Sequence, residues 1–124
     1  MRFEGITLAY GHKTILRNVS VVIEPGEFVF LIGGSGSGKT SFIRMLIGDF
    51  PPKGGMFIDN QGGNVYSYRS RAMARYRRNI GVIFQDFKLL KSKTVYENVA
   101  FAMEVSGYDD LHISARVPEV LSQV

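Results

Sequence analysis

Apolar and polar residues alternate along "RFEGITLAY" (2–10), the period of a half-buried strand. That alternation predicts Phe3, Gly5, Thr7 and Ala9 on one face and the other positions opposite. "GHK" reads as a turn, "VSVVI" (19–23) as a second strand, and Pro25-Gly26 as a further turn. "EFVFLI" (27–32) is apolar nearly throughout, as a central strand covered on both faces would be. Beyond a glycine-rich loop, "KTSFIRMLIG" (39–48) changes to a helical period through Phe42, Met45 and Leu46, with Gly48 suited to end it.

Farther on, "DFPPKGG" predicts a turn and "MFID" a short strand. "SYRSRAMARYRR" (67–78) predicts a helix with Tyr68, Ala72 and Tyr76 on one face and arginines around the rest. "IGVIF" (80–84) predicts another buried strand. Thr94-Val95-Tyr96-Glu97 is a capping box that opens a helix running to about Val105. "ISARVPEVLSQV" (113–124) is helical in period, but Pro118 predicts a break or a fresh start. The pattern reaches Val124 without a capping glycine, a basic last turn or a polar tail, so the expectation is a domain cut short.

Composition narrows the classes. The 124 residues are 45% hydrophobic and 21% charged, enough for one domain with a core of its own. No apolar run approaches the roughly 18 residues that span a bilayer, and the alternating start with its early Glu4 is unlike a signal peptide. Cysteine is absent, which excludes disulfides and thiolate metal sites and fits a reducing compartment. The net charge of +4 suits an anionic partner, whether nucleotide, nucleic acid or membrane surface, although solubility alone accounts for it too.

The candidate chemistry lies at Gly33-Gly34-Ser35-Gly36-Ser37-Gly38-Lys39-Thr40, the pattern G-x-x-x-x-G-K-[ST] between a predicted strand and a predicted helix. A loop that turns its backbone N–H groups toward one anion requires glycine where side chains would obstruct the curve, here at Gly33, Gly36 and Gly38. The helix that follows brings its positive end to the phosphates. Lys39 would reach the β- and γ-phosphates, and Thr40 would offer a hydroxyl to Mg²⁺.

"ILRNVSVVIEPGEFVFLIGGSGSGKTSFIRMLIG" resembles the ATP-binding subunits of ABC transporters. The resemblance implies an α/β P-loop NTPase of ABC type, present here as its N-terminal portion: an antiparallel β subdomain plus the start of the central sheet. Residue by residue it implies that Gly33, Gly34, Ser35, Gly36, Ser37, Gly38, Lys39, Thr40 and Ser41 form the ATP phosphate and Mg²⁺ site. The family usually has Ser-Thr after the lysine; this chain has Thr40-Ser41 and keeps both hydroxyls. Tyr10 matches the aromatic that stacks on adenine in the family. In "IGVIFQDFKLLKSKTVYENVAF", Gln85 matches the glutamine that meets the Mg²⁺ shell and senses the γ-phosphate, so the resemblance assigns Lys39 and Gln85 the catalytic roles and Thr40 and Gln85 the metal. "RRNIGVIFQDFKLL" with "TVYENV" is similar to the branch serving bacterial cell division, with the lipoprotein-release and macrolide-export branches as alternatives. That branch implies a homodimer, an integral membrane partner facing the loop at 86–93 and the helix from Thr94, and a place on the cytoplasmic face of the membrane, with no nucleic acid.

Hydrolysis in the family also uses an LSGGQ signature, an apolar strand ending Asp-Glu and a switch histidine, and the 124 residues contain none of these. His12 and His112 read as surface residues. The expectation is therefore weak ATP binding without turnover. Two readings from other classes stay open. "IGVIFQD" would be the metal-bearing strand of a compact P-loop kinase or GTPase, with Asp86 on Mg²⁺. Alternatively, Arg69, Arg71, Arg75, Arg77 and Arg78, interleaved with Tyr66, Tyr68 and Tyr76, would grip nucleic acid and give a steep salt dependence.

Overall fold

The first hairpin is longer than the apolar pattern implied. In the computed structural model, which describes residues 1–124, β1 spans Arg2–Tyr10 and β2 spans Lys13–Val22. Tyr10 pairs with Lys13 across the two-residue turn Gly11-His12, so β2 begins six residues before the expected 19–23 strand. Its first half, Lys13–Asn18, is mostly polar or half-exposed, and such a segment is a strand because β1 offers it a ladder. β3 (Gly54–Ile58) pairs antiparallel on the other side of β1, giving the order β2-β1-β3.

Strict alternation in β1 is broken by a bulge. Both pairings of β1 shift register between Phe3 or Glu4 and the residues after Gly5, whose φ is +60°. One extra residue reverses the phase. Phe3, Ile6 and Leu8 are consequently all buried, where alternation alone would have put Phe3 opposite the other two.

α1 (Lys39–Leu46) packs its buried Phe42 and Met45 into the same core. The Phe42 ring lies 5.0 Å from Phe3, which stacks on Phe57 of β3 at 4.4 Å. α1 ends in a Schellman arrangement: Gly48 (φ +76°) donates to Met45 O and Asp49 donates to Arg44 O. A short 3₁₀ turn, Val65–Ser67, precedes α2 (Ser70–Arg78). Tyr76 is buried in edge contact with Phe57, whereas Ala72 is exposed and Tyr68 lies ahead of the helix. The predicted Tyr68–Ala72–Tyr76 face is therefore replaced by Met73 and Tyr76, because the helix starts at Ser70.

Two predicted central strands are not strands. Residues 27–32 and 80–84 have no ladder partner, and Phe28, Phe30, Ile32 and Ile83 are between 76% and 98% exposed. A strand is a pairing, and β1, β2 and β3 satisfy one another without including either run. An apolar run thus marks the capacity for a central strand and not its presence.

The chain divides into the units Met1–Arg77 and Arg78–Val124. In the second, α3 (Val95–Ser106) opens with the predicted capping box: Thr94 Oγ1 accepts from Glu97 N, and Glu97 Oε2 accepts from Thr94 N. α4 (Asp110–Leu121) is capped by Asp109 and runs straight through Pro118. Pro118 gives up its own N–H bond, yet Ile113 and Val117 bury against Ala100 of α3, with Val99, Met103 and Leu121 around them. That packing outweighs one lost hydrogen bond, so the expected break does not occur. No helix of the molecule is long and apolar enough to cross a membrane.

Candidate phosphate-binding site

The start of α1 differs from those of α3 and α4. α3 and α4 are capped by Thr94 and Asp109 and carry Glu97 and Asp110 in their first turns. α1 begins at Gly38 with no side-chain cap and no acidic residue in its first turn. The first N–H groups of a helix have no partner within it. At α1 they face the glycine loop, where the helix dipole favours an anion.

The loop is shaped by conformations that suit glycine. Gly36 and Gly38 have φ of +75° and +98°. At Gly38 a Cβ would also lie 2.6 Å from Ile15 Cγ2 and 3.1 Å from Leu16 Cδ2, so the N-cap of α1 is pressed against β2. At Gly33 a Cβ would lie 2.6 Å from Ser37 Oγ across the loop. The Lys39 ammonium donates to Gly33 O and Gly34 O, both at 2.7 Å, which closes the loop and brings its positive charge there. An ammonium has three donors, so one remains for an anion. Thr40 is exposed and Ser41 is buried, so of the two hydroxyls the first is presented outward. No group of three His, Cys, Asp or Glu side chains could hold a metal by itself. An exposed hydroxyl beside a phosphate site suits Mg²⁺, which takes few protein ligands and shares phosphate oxygens and water.

Tyr10 belongs to the same unit. It pairs with Lys13 of β2, two to three residues along that strand from the Ile15 and Leu16 that touch Gly38. At strand rise this is about 7–10 Å. Its ring stacks on Phe50 with centroids 4.4 Å apart, and its hydroxyl accepts from Arg44 at 3.2 Å. Arg44 also pairs with Asp49 at 2.7 Å, and Lys53 Nζ donates to Gly11 O in the turn that follows Tyr10. Periodicity could not have revealed Phe50, Arg44 or Lys53, because each meets the β1–β2 hairpin from the far end of α1.

Gln85 lies in the second unit, exposed in the turn Gln85–Lys88. Asp86 beside it pairs with Lys88 at 2.6 Å. That contact, led by the Lys88 hydrogen bond, holds the Asp86 carboxyl below the usual range. Asp86 thus ends no strand, the position that a metal-bearing carboxylate would need. His12 is exposed in the hairpin turn, and His112 is exposed beside Asp109. In the arginine run, Arg77 donates to Ile47 O at 3.1 Å and Gly48 O at 2.9 Å, where it serves the C-terminal end of α1.

A cleft of about 470 Å³ runs between β2, residues 29–32 and α1, and is lined by Leu16, Val19, Val29, Phe30, Phe42 and Leu46 among others. Ser37, Gly38 and Lys39 line its end at the glycine loop, and the rest of the lining is apolar.

The pattern, the uncapped helix start and the antiparallel sheet beside it define a P-loop protein, and the ABC transporter family model matches residues 16–124. The chain belongs to that family. It is similar to the cell division ATP-binding protein FtsE of Streptococcus pneumoniae, 46% identical over 112 residues, covering 90% of this chain and 48% of that one. To FtsE of Mycobacterium tuberculosis it is 47% identical over 113 residues, again covering 90% and 48%. Among solved structures, a dimeric ATP-binding cassette in a post-hydrolysis state with ADP and Pi matches with a TM-score of 0.84 at 26% identity, over 98% of this chain and 55% of that one. The chain spans about half the length of the curated relatives it matches.

Proposed function

We propose that this chain is the N-terminal part of one ABC-type nucleotide-binding domain and that it binds MgATP through Gly33–Ser41. The observation that carries this is the helix start at Gly38: uncapped, free of acid and closed over by Lys39. The loop amides and Lys39 would stabilise charge on the β- and γ-phosphates. Thr40 would offer its hydroxyl to Mg²⁺, which when bound would neutralise phosphate charge. Tyr10 would take the adenine, since its spacing along β2 from Gly38 suits the reach from phosphates to base. Gln85 would report the γ-phosphate from its exposed turn.

The exposed apolar segments 28–32 and 83–84, and the apolar cleft beside α1, support the reading of a part that further strands would complete. On that reading the 124 residues bind nucleotide weakly and do not turn it over. Likeness to FtsE supports a role for the intact protein in bacterial cell division, as the ATP-binding subunit of a dimer on an integral membrane partner resembling FtsX, at the cytoplasmic face of the membrane. Export of lipoproteins or macrolides by a similar subunit is the second reading.

The test is equilibrium binding of MgATP beside AMP. A P-loop grips the β- and γ-phosphates, so ATP should bind and AMP should not. Equal binding of the two would remove the loop from the account.

A further inference from the structure

Tyr10 does not stand alone at the end of β1. Its ring lies nearly parallel to that of Phe50, with 19° between the planes and 4.4 Å between centroids. Phe50 is fixed in turn: the Arg44 guanidinium lies 5.8 Å over its ring, and the same guanidinium reaches Asp49 and the Tyr10 hydroxyl. Two backbone anchors hold the surrounding chain. Phe50 N donates to Arg44 O at 3.2 Å and Lys53 N donates to Thr7 O at 2.8 Å, while Lys53 Nζ reaches Gly11 O. The hairpin turn and the segment 49–53 are thus tied together on both sides of the ring pair, and Tyr10 is still 46% exposed.

We infer that Phe50 is a positioning residue for the nucleobase, acting through Tyr10, and that Arg44 and Asp49 lock it in place. This rests on the reading of Tyr10 as the base-stacking residue. The physical reason is entropic. A tyrosine at a strand end samples several rotamers and must lose that freedom when a base stacks on it. A ring already stacked on Phe50 and held through its hydroxyl has lost it beforehand. The covered face of Tyr10 belongs to Phe50, so the base takes the exposed one. The arrangement adds selectivity for an aromatic ligand and contributes nothing to the grip on phosphates. Arg44 also links the platform to the P-loop, because it lies on α1 itself.

The test separates base from phosphate. Calorimetry on the full 124-residue chain measures MgATP and inorganic tripolyphosphate against Phe50→Ala, Phe50→Tyr and Lys39→Ala. Without Phe50, Tyr10 must be ordered by the base itself, which should weaken ATP about three- to tenfold. Tripolyphosphate should be unchanged in Phe50→Ala, and Phe50→Tyr should restore ATP binding. Unchanged ATP affinity in Phe50→Ala overturns the inference, and so does a parallel loss of both ligands, which would mark a general packing defect. Lys39→Ala should weaken both ligands. If it weakens neither, the phosphate-loop reading itself fails, a result distinguishable from failure of Phe50 alone.

Discussion

Gly38 lies so close to Ile15 that a methyl group on the glycine would come within 2.6 Å of Ile15 Cγ2. The glycine at the start of α1 is thus required twice, once by its φ of +98° and once by the sheet behind it. Gly38→Ala should destabilise the first unit by about 1–3 kcal/mol, the cost of a non-glycine residue held in a sparsely populated backbone region. Adding Ile15→Ala should relieve the steric share and leave the conformational share. Thermal unfolding of the single and double variants measures both; an additive double variant would show that the contact is irrelevant.

The C-terminal end of α1 is held by side chains from 66–77. The single O–H of Tyr66 is shared between Met45 O at 2.6 Å and Phe50 O at 2.9 Å, and Tyr76 donates to Leu46 O at 2.5 Å. Tyr76→Phe keeps the ring and removes the bond, leaving a half-buried carbonyl unpaired. The expected loss is about 1–2 kcal/mol in denaturant unfolding, the usual cost of one such orphan. No change in the denaturation midpoint would mean that water replaces the phenol.

Those phenols should also titrate late. Burial, the largest cause, pushes Tyr66 up to about 12 and raises Tyr76 further still, while the hydrogen bond to Asp59 raises Tyr68. A folded pKa above the unfolded value of 10.0 means stability that is complete below pH 10 and lost as pH climbs through the folded value. Ultraviolet titration should show these phenols ionising above pH 10, with the first unit unfolding as they do. A single wave at the ordinary tyrosine pKa would contradict the burial.

The cap of α3 responds at the other end of the scale. The Thr94 backbone N–H, then the Thr94 side chain and Lys93, hold the Glu97 carboxyl below its ordinary value of 4.5. With a depressed folded pKa, the stabilisation is present above about pH 4.5 and lost as pH falls through the folded value. Thr94→Ala should cost about 1 kcal/mol at neutral pH, and Glu97→Gln, which removes the titrating carboxyl, should flatten the acid dependence of helicity followed by circular dichroism. An unaltered acid profile would place the acid sensitivity elsewhere.

Short-range chemistry was the legible part of this chain. The capping box at Thr94, the turn at Pro25-Gly26 and the glycine loop before α1 each depend on residues within a few positions of one another. What the sequence hid was non-local. The runs 27–32 and 80–84 read as central strands, but pairing partners and not apolar content make a strand. One bulge at Gly5 reversed the phase of β1, which no alternation rule anticipates. Pro118 looked like a helix break until the packing of Ile113 and Val117 on α3 was known. The glycine-rich turn before α1 and the start of that helix were legible, whereas the Tyr10–Phe50 pair, its Arg44 clasp and the Arg77 contacts beyond α1 appear only once the chain is folded.

Lys39 and the start of α1 are proposed to hold a triphosphate. The most direct measurement is MgATP binding by the 124-residue chain and by Lys39→Ala, by calorimetry, with phosphate release followed in parallel. The chain contains no tryptophan, so intrinsic tryptophan fluorescence cannot serve. Loss of one charge-assisted contact should weaken binding by about tenfold or more, with no phosphate released by either chain. Equal affinity in the two would contradict the phosphate loop, and brisk Lys39-dependent release would contradict the severed-domain reading and turn attention to Asp86.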